Sequence, residues 1–194
     1  MERRNNKGFS LVELIVSIAI LGIVMAAILS FFVFATREYH SGGSETMVQT
    51  EAQMITRRIE DLIINAADGV GTNAARDELY IFDHETVGGS TVYKKITIKP
   101  DASSLRLLYN CENYSYDASS GTFSSTGSTG DSVLAECVKE ITVDLSTVPT
   151  NYSVQVTFHM KQRDREYNTT SVFVLRNRGI TSVSDDVNDH FVAE

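Results

Sequence analysis

The sequence predicts an α+β protein in which one long N-terminal helix precedes an antiparallel β-sheet. Three observations predict it. Residues Phe9 to Ala35 form an apolar run with a single charge, Glu13. An amphipathic stripe then continues to Ala66, and from Glu78 onward the apolar residues recur with period two. A helix first and strands afterwards is the order of an α+β layout. At 194 residues the chain holds one ordinary domain plus an anchoring segment.

The apolar run is long enough to matter. As a helix, its 27 residues would span about 40 Å, more than the roughly 30 Å hydrocarbon core of a bilayer. Arg3, Arg4 and Lys7 precede it against one acid, Glu2, a bias that holds the N-terminus in the cytoplasm and sends the rest across. Three readings compete for this segment. A removable secretory signal is one, with Val33-Phe34-Ala35 as a small-x-small site, but the run exceeds the usual apolar core of such signals. An inert signal anchor is the second, and it leaves Glu13 unexplained. A carboxylate at mid-membrane costs about 2.5–3.5 kcal/mol, so a reading that gives Glu13 a purpose is preferred.

Beyond Ala35, Val48, Ala52, Ile55, Ile59, Leu62 and Ala66 fall on one helical face, with Gln49, Gln53, Arg57 and Glu60 on the other. Ser41-Gly42-Gly43-Ser44 is expected to bend or fray the helix, and residues Asn65 to Gly69 to stop it. Strands are expected at Leu79–Phe82, Val92–Lys99, Leu105–Tyr109, Val138–Leu145, Tyr152–Lys161 and Tyr167–Arg176. β-Branched and aromatic residues dominate these runs, and the alternation is plainest in Val154-Val156-Phe158-Met160. Asp117 to Ser132 reads as an exposed Ser/Thr/Gly-rich loop. Residues 181–194 read as a flexible acidic tail.

The net charge of −8 comes without a basic stripe, and Arg57-Arg58 is the densest basic pair after the apolar run. Direct nucleic-acid binding is therefore not expected. Cys111 and Cys137 could close a disulfide in an oxidising exterior, worth about 3.5 kcal/mol on the chain-entropy estimate. Two unpaired core thiols are the alternative, and the bridge is slightly preferred. No catalytic motif, metal-ligand spacing or phosphate-binding loop is present, so no enzyme, metal or cofactor is expected. Asp83-His84-Glu85 reads as a solvated turn before Gly88-Gly89. The Asp185-Asp186-Val187-Asn188-Asp189 run lacks the glycine and distal Glu of an EF-hand. Asn113, Asn151 and Asn168 open N-x-[ST] sequons, relevant only where the host glycosylates.

The segment Gly8-Phe9-Ser10-Leu11-Val12-Glu13-Leu14-Ile15, with its short basic leader, resembles the class III signal of type IV prepilins and type II secretion pseudopilins. The resemblance implies a pilin-like fold, cleavage after Gly8 and N-methylation of Phe9 by a prepilin peptidase/N-methyltransferase. It also implies a role for Glu13, the fifth residue of the mature chain, in subunit assembly. In a filament core that carboxylate would face a neighbouring subunit's freed amine and so favour one axial offset. The partners implied are other pilin or pseudopilin subunits, an inner-membrane assembly platform and, before assembly, membrane lipid. The location implied is a single-pass inner-membrane protein with its C-terminal domain outside, and a cell-surface or periplasmic filament afterwards.

On this reading, residues 1–8 are the leader, 9–40 the transmembrane and filament-core helix, and 41–180 the pilin globular domain. Many major pilins carry a proline where Ser30 stands, and none precedes Pro100 here; this fits a minor pilin or pseudopilin. The strand ending Val172-Phe173-Val174-Leu175-Arg176-Asn177 and the Arg57-Arg58-Ile59-Glu60 stretch are similar to J-type pseudopilins and W-type minor pilins, which implies a place in filament initiation or at the tip. A tip adhesin on the same scaffold, or a single-pass anchored domain with no filament, are the alternatives.

Overall fold

A computed structural model describes residues 10–162, 165–176, 180–182 and 184–191. The chain divides into two units, Met1–Thr46 and Met47–Glu194, where the sequence reading drew the boundary at 40/41. The first unit is helical from Leu11 onward, within helix α1 (Leu11–Asn65). The helical assignment continues through residues 41–44, so the Ser-Gly-Gly-Ser run does not end it. Two helix-interior glycines cost about 1 kcal/mol each relative to alanine, too little to break a helix this long.

The second unit holds the rest. Its strands in chain order are β1 (Gly69–Thr72), β2 (Leu79–Val87), β3 (Ser90–Asp101), β4 (Arg106–Asp117), β5 (Thr122–Ser128), β6 (Ser132–Glu136) and β7 (Val138–Asp144). A one-turn helix α2 (Val148–Asn151) follows, then β8 (Ser153–Gln162), β9 (Arg165–Val174) and β10 (Ile180–Ser182). One sheet runs β10-β1-β2-β3-β4-β5, with β6 also pairing β4, and a second runs β7-β8-β9. Every pairing is antiparallel except β1 with β10. The α+β layout is thus a long apolar helix followed by an antiparallel, β-rich domain, consistent with a pilin-like fold.

The helical stripe does what its spacing implies. Val48, Ile55, Ile59 and Ala66 are buried, with Ala52 and Leu62 partly so, in one core with residues of both sheets such as Ile98, Leu107, Val156 and Phe158. Ile63, outside the expected stripe, is fully buried. Ile55, Ile59 and Ile63 recur every four residues, a line that drifts about 40° per step on a 3.6-residue helix, and the sheets select that line.

All six expected strands form, some longer than expected. The β2–β3 hairpin turns on Gly88 and Gly89, both at positive φ (62° and 85°), which a two-residue type I′ turn requires. Asp83-His84-Glu85, expected as a turn, instead lies inside β2. The turn signal was the Gly-Gly pair, and the polar triplet is simply a strand segment in front of it. Asp117–Ser132, expected as a loop, contains β5; it is exposed, as its composition implies, yet hydrogen-bonded to β4.

A repeated tetrapeptide closes both ends of β4. In Asp101-Ala102-Ser103-Ser104, the Asp101 carboxylate accepts from Ser103 N (3.0 Å), Ser103 Oγ (2.6 Å) and Ser104 Oγ (2.7 Å). In Asp117-Ala118-Ser119-Ser120, Asp117 accepts from Ser119 N (2.9 Å), Ser119 Oγ (2.7 Å) and Ser120 Oγ (3.1 Å). These donors hold Asp101 at about 2 and push Asp117 below the usual carboxylate range. Both folded values lie below the unfolded one, near 3.9. The stability these turns contribute is therefore complete above the unfolded value and is lost as pH falls through the folded one. Urea titrations should show an Asp101→Ala, Asp117→Ala chain less stable than wild type near neutral pH, with the gap closing toward about pH 2. A gap that is constant across pH would mean the turns act without their charge.

The C-terminal segment corrects the expected flexible tail. Val187, His190 and Phe191 are buried among Tyr80, Phe82 and Tyr93, while Asp185, Asp186 and Asp189 face solvent. His190 stacks on Phe82 (centroids 3.8 Å apart, planes 10° apart) and Phe191 meets it edge-on. Asp186 caps a single 3₁₀ turn, Val187–Asp189, by accepting from Asn188 N, and Asn188 Oδ1 accepts from Phe123 N of β5 (3.2 Å). Glycine at 71 permits this approach, because a Cβ there would lie 2.7 Å from Ser184 O and 3.1 Å from His190 Nε2. Counting acids pointed to a loose tail; three apolar or aromatic residues among them decide otherwise.

Candidate functional site

The site the sequence singles out lies at the start of α1. Gly8 and Phe9 are outside the described residues. Glu13 is in the first turn of the helix and is exposed. Its backbone N–H donates to Ser10 Oγ (3.2 Å), and Leu14 N donates to Ser10 O (3.2 Å). Ser10 is therefore the helix cap. Ser10-Leu11-Val12-Glu13 has the S-x-x-E spacing of a capping box, a signal present in the sequence and missed in reading it. An acid here is also favoured by the helix dipole, by about 0.3–1 kcal/mol. Glu13 thus has a local structural reason beside the assembly reason implied by the resemblance.

Around it the helix surface is apolar and uncovered. Leu11–Glu38 is long and apolar enough to cross a membrane, and none of it is buried within the chain. Its few hydroxyls turn back on the backbone: Ser17 Oγ donates to Glu13 O and Ser30 Oγ to Ala26 O, both at 2.8 Å, and Thr36 Oγ1 donates to Phe32 O. Such bonds leave no side-chain donor for an apolar environment to desolvate. A run of exposed Leu, Ile, Val and Phe this long is not sustained in water. The arrangement is consistent with membrane anchoring.

The remaining candidates are not brought together. Val138 N donates to Leu105 O (3.1 Å), and Thr129 N to Cys111 O (2.9 Å). Cys137 is therefore beside Leu105, and Cys111 lies six residues further along the same stretch of chain, about 20 Å away at strand rise. A disulfide needs Cα atoms within about 7 Å, and both cysteines are free. The expected bridge is corrected to two part-buried core thiols, because the β4–β6 register offsets them along the sheet. Burial pushes both thiols above their ordinary pKa, which disfavours the reactive thiolate.

His84 Nδ1 lies 2.9 Å from Asp68 Oδ2, Asp83 Oδ1 accepts from Ala67 N (3.2 Å), and Glu85 pairs with Lys94 (2.5 Å). Each member of that triplet has a different partner. Among the described residues no cluster of three or more His, Cys, Asp or Glu side chains is arranged to hold a metal. The sequon residues Asn113, Asn151 and Asn168 fall on β4, at the end of α2 and on β9.

Comparison with known proteins bears on the same N-terminal site. No curated protein and no solved structure matches the chain. A protein family does: residues 3–29 match the prokaryotic N-terminal methylation motif. That match covers Gly8, Phe9 and Glu13 together with the first part of the uncovered helix, and it implies processing by a prepilin peptidase and assembly with other pilins. The chain therefore carries, at its N-terminus, the type IV prepilin-like cleavage-methylation motif.

Proposed function

We propose that this chain is a minor pilin or pseudopilin of a type IV pilus, competence or type II secretion filament. Prepilin peptidase removes residues 1–8, Phe9 becomes the methylated N-terminus, and the subunit enters the filament through its N-terminal helix, at initiation or at the tip. One observation carries the reading: a cleavage-methylation motif leads directly into a helix whose apolar surface no described residue covers. Lipid covers it before assembly and neighbouring helices cover it afterwards. The absence of proline before Pro100 supports a minor subunit, since the helix lacks the kink that proline imposes.

N-terminal mass spectrometry of membrane-purified protein, from cells with an active prepilin peptidase, tests the reading. The expected chain begins at N-methyl-Phe9. An intact Met1, or a start at Thr36, would replace the proposal with a tethered domain or a secreted one.

A further inference from the structure

The chain leaves α1 and reaches β1 through three residues that are tied to β2. Ala66 N donates to Ile63 O (3.2 Å), Ala67 N to Asp83 Oδ1 (3.2 Å) and Asp68 N to Phe82 O (3.1 Å). A fourth tie can change its charge. His84 Nδ1 lies 3.0 Å and 2.9 Å from the two oxygens of the Asp68 carboxylate. An ionised carboxylate only accepts, so Nδ1 carries a proton here and a second proton goes to Nε2. The His84 side chain is 25% exposed and that of Asp68 10%.

The surroundings of His84 decide which way its titration is biased. Asp83 and Glu85, its neighbours on β2, alternate to the opposite face, where Ala67 N and Lys94 engage them. Tyr93 of β3 is directly across, its ring 6.0 Å from the imidazole. Lys95, next on that face of β3, donates to Asp185 O and lies over the Tyr80 ring. His190 of the C-terminal segment stacks on Phe82, two residues along the same face of β2. Burial opposes a second proton on His84, and the Asp68 carboxylate favours it. The carboxylate prevails, because it is nine-tenths buried, where water screens least, and both oxygens are in contact. His84 therefore holds its proton more tightly in the folded chain than in the unfolded one, where imidazole titrates near about 6.5. The stability so contributed is complete below that value and is lost as pH rises through the higher, folded one.

We propose that Asp68 and His84 form a pH-operated clasp on the end of α1, closed as an ion pair in mildly acidic surroundings and slackened to a single neutral-donor hydrogen bond above them. Helix α1 leads from the first unit into the second. The clasp thus makes the sheet's hold on the last turn of that helix depend on the surrounding pH.

Amide exchange in the full-length protein in detergent tests this, expressed as protection relative to the unstructured rate at each pH. Protection at Ala66, Ala67 and Asp68 should be about tenfold greater near about pH 5.5 than near about pH 8. Asp68→Asn keeps an acceptor for Nδ1 and loses the charge, so its protection should be the same at both. His84→Gln should behave likewise, and His190→Gln should keep the wild-type dependence. Should His84→Gln fold poorly, the imidazole signal of His84 in the wild-type chain still reads the clasp, with a midpoint expected above about 6.5. Equal protection at both pH values in the wild-type chain would overturn the proposal. So would a dependence that persists in Asp68→Asn or disappears in His190→Gln, because another group would then be titrating. A His84 midpoint below that of free imidazole would overturn it too, since burial would outweigh the carboxylate.

Discussion

A Glu13→Ala chain is expected to insert in the membrane and to lose its leader normally, yet to enter filaments poorly. Insertion depends on the apolar run, and removing a carboxylate from it only favours the bilayer. Apolar helices attract one another with little preference for axial offset, so without a charged contact the subunit has weak register. The expected loss is large, because deleting the carboxylate would leave the neighbouring subunit's amine buried and unpaired, at a cost of about 3–5 kcal/mol. The Ser10 cap adds a competing local account, since Glu13 also occupies the third helical position. Glu13→Gln separates the two, because glutamine suits the same capping-box position as glutamate and loses the charge. Filament incorporation is measured by immunoblot of sheared filaments against the membrane fraction. Poor incorporation of both variants is the expected result. Normal incorporation of the Gln variant would reduce Glu13 to a helix-capping residue.

Phe82→Ala should be the most damaging single change in the second unit. Phe82 is fully buried on β2 and is the ring against which both His190 and Phe191 pack. Truncating a buried phenylalanine costs about 3–5 kcal/mol. The same change removes the platform for residues 184–191, so those residues should become sensitive to protease before the rest of the unit. Chemical denaturation measures the first effect, and limited proteolysis with mass spectrometry measures the second. If stability falls while the C-terminal segment stays protected, the contacts of Asn188 with β5 and of Lys95 with Asp185 O hold it without the ring. The packing at Gly71 argues otherwise: the segment sits close enough there that a single methyl group would collide with it.

Much of this architecture was legible along the chain. An apolar run with one acid in it, followed by a 3.6-residue period and then a period of two, identifies a helix leading into a sheet. Each of those signals is local, belonging to residues within a few positions of one another. The cleavage-methylation motif of residues 3–29 was legible for the same reason, as was the S-x-x-E cap that went unread. The Asp-Ala-Ser-Ser repeat was also visible, but its meaning as two hairpin turns required knowing that a strand, β4, runs between its copies.

What contiguous residues could not reveal is which distant segments meet. Cys111 and Cys137 look like a pair in one dimension, and only the β4–β6 register separates them along the sheet. The acids of residues 185–189 suggest a solvated tail until Val187, His190 and Phe191 are seen to close over Phe82. Ile63, rather than Leu62, completes the buried face of α1 because two sheets choose the line of contact. The open edge of β9 exists only because β8 is on one side of it and no described strand is on the other. Local period and charge are set by neighbours in the chain; register, burial and edges arise from pairing between segments far apart in it, and these the fold alone decides.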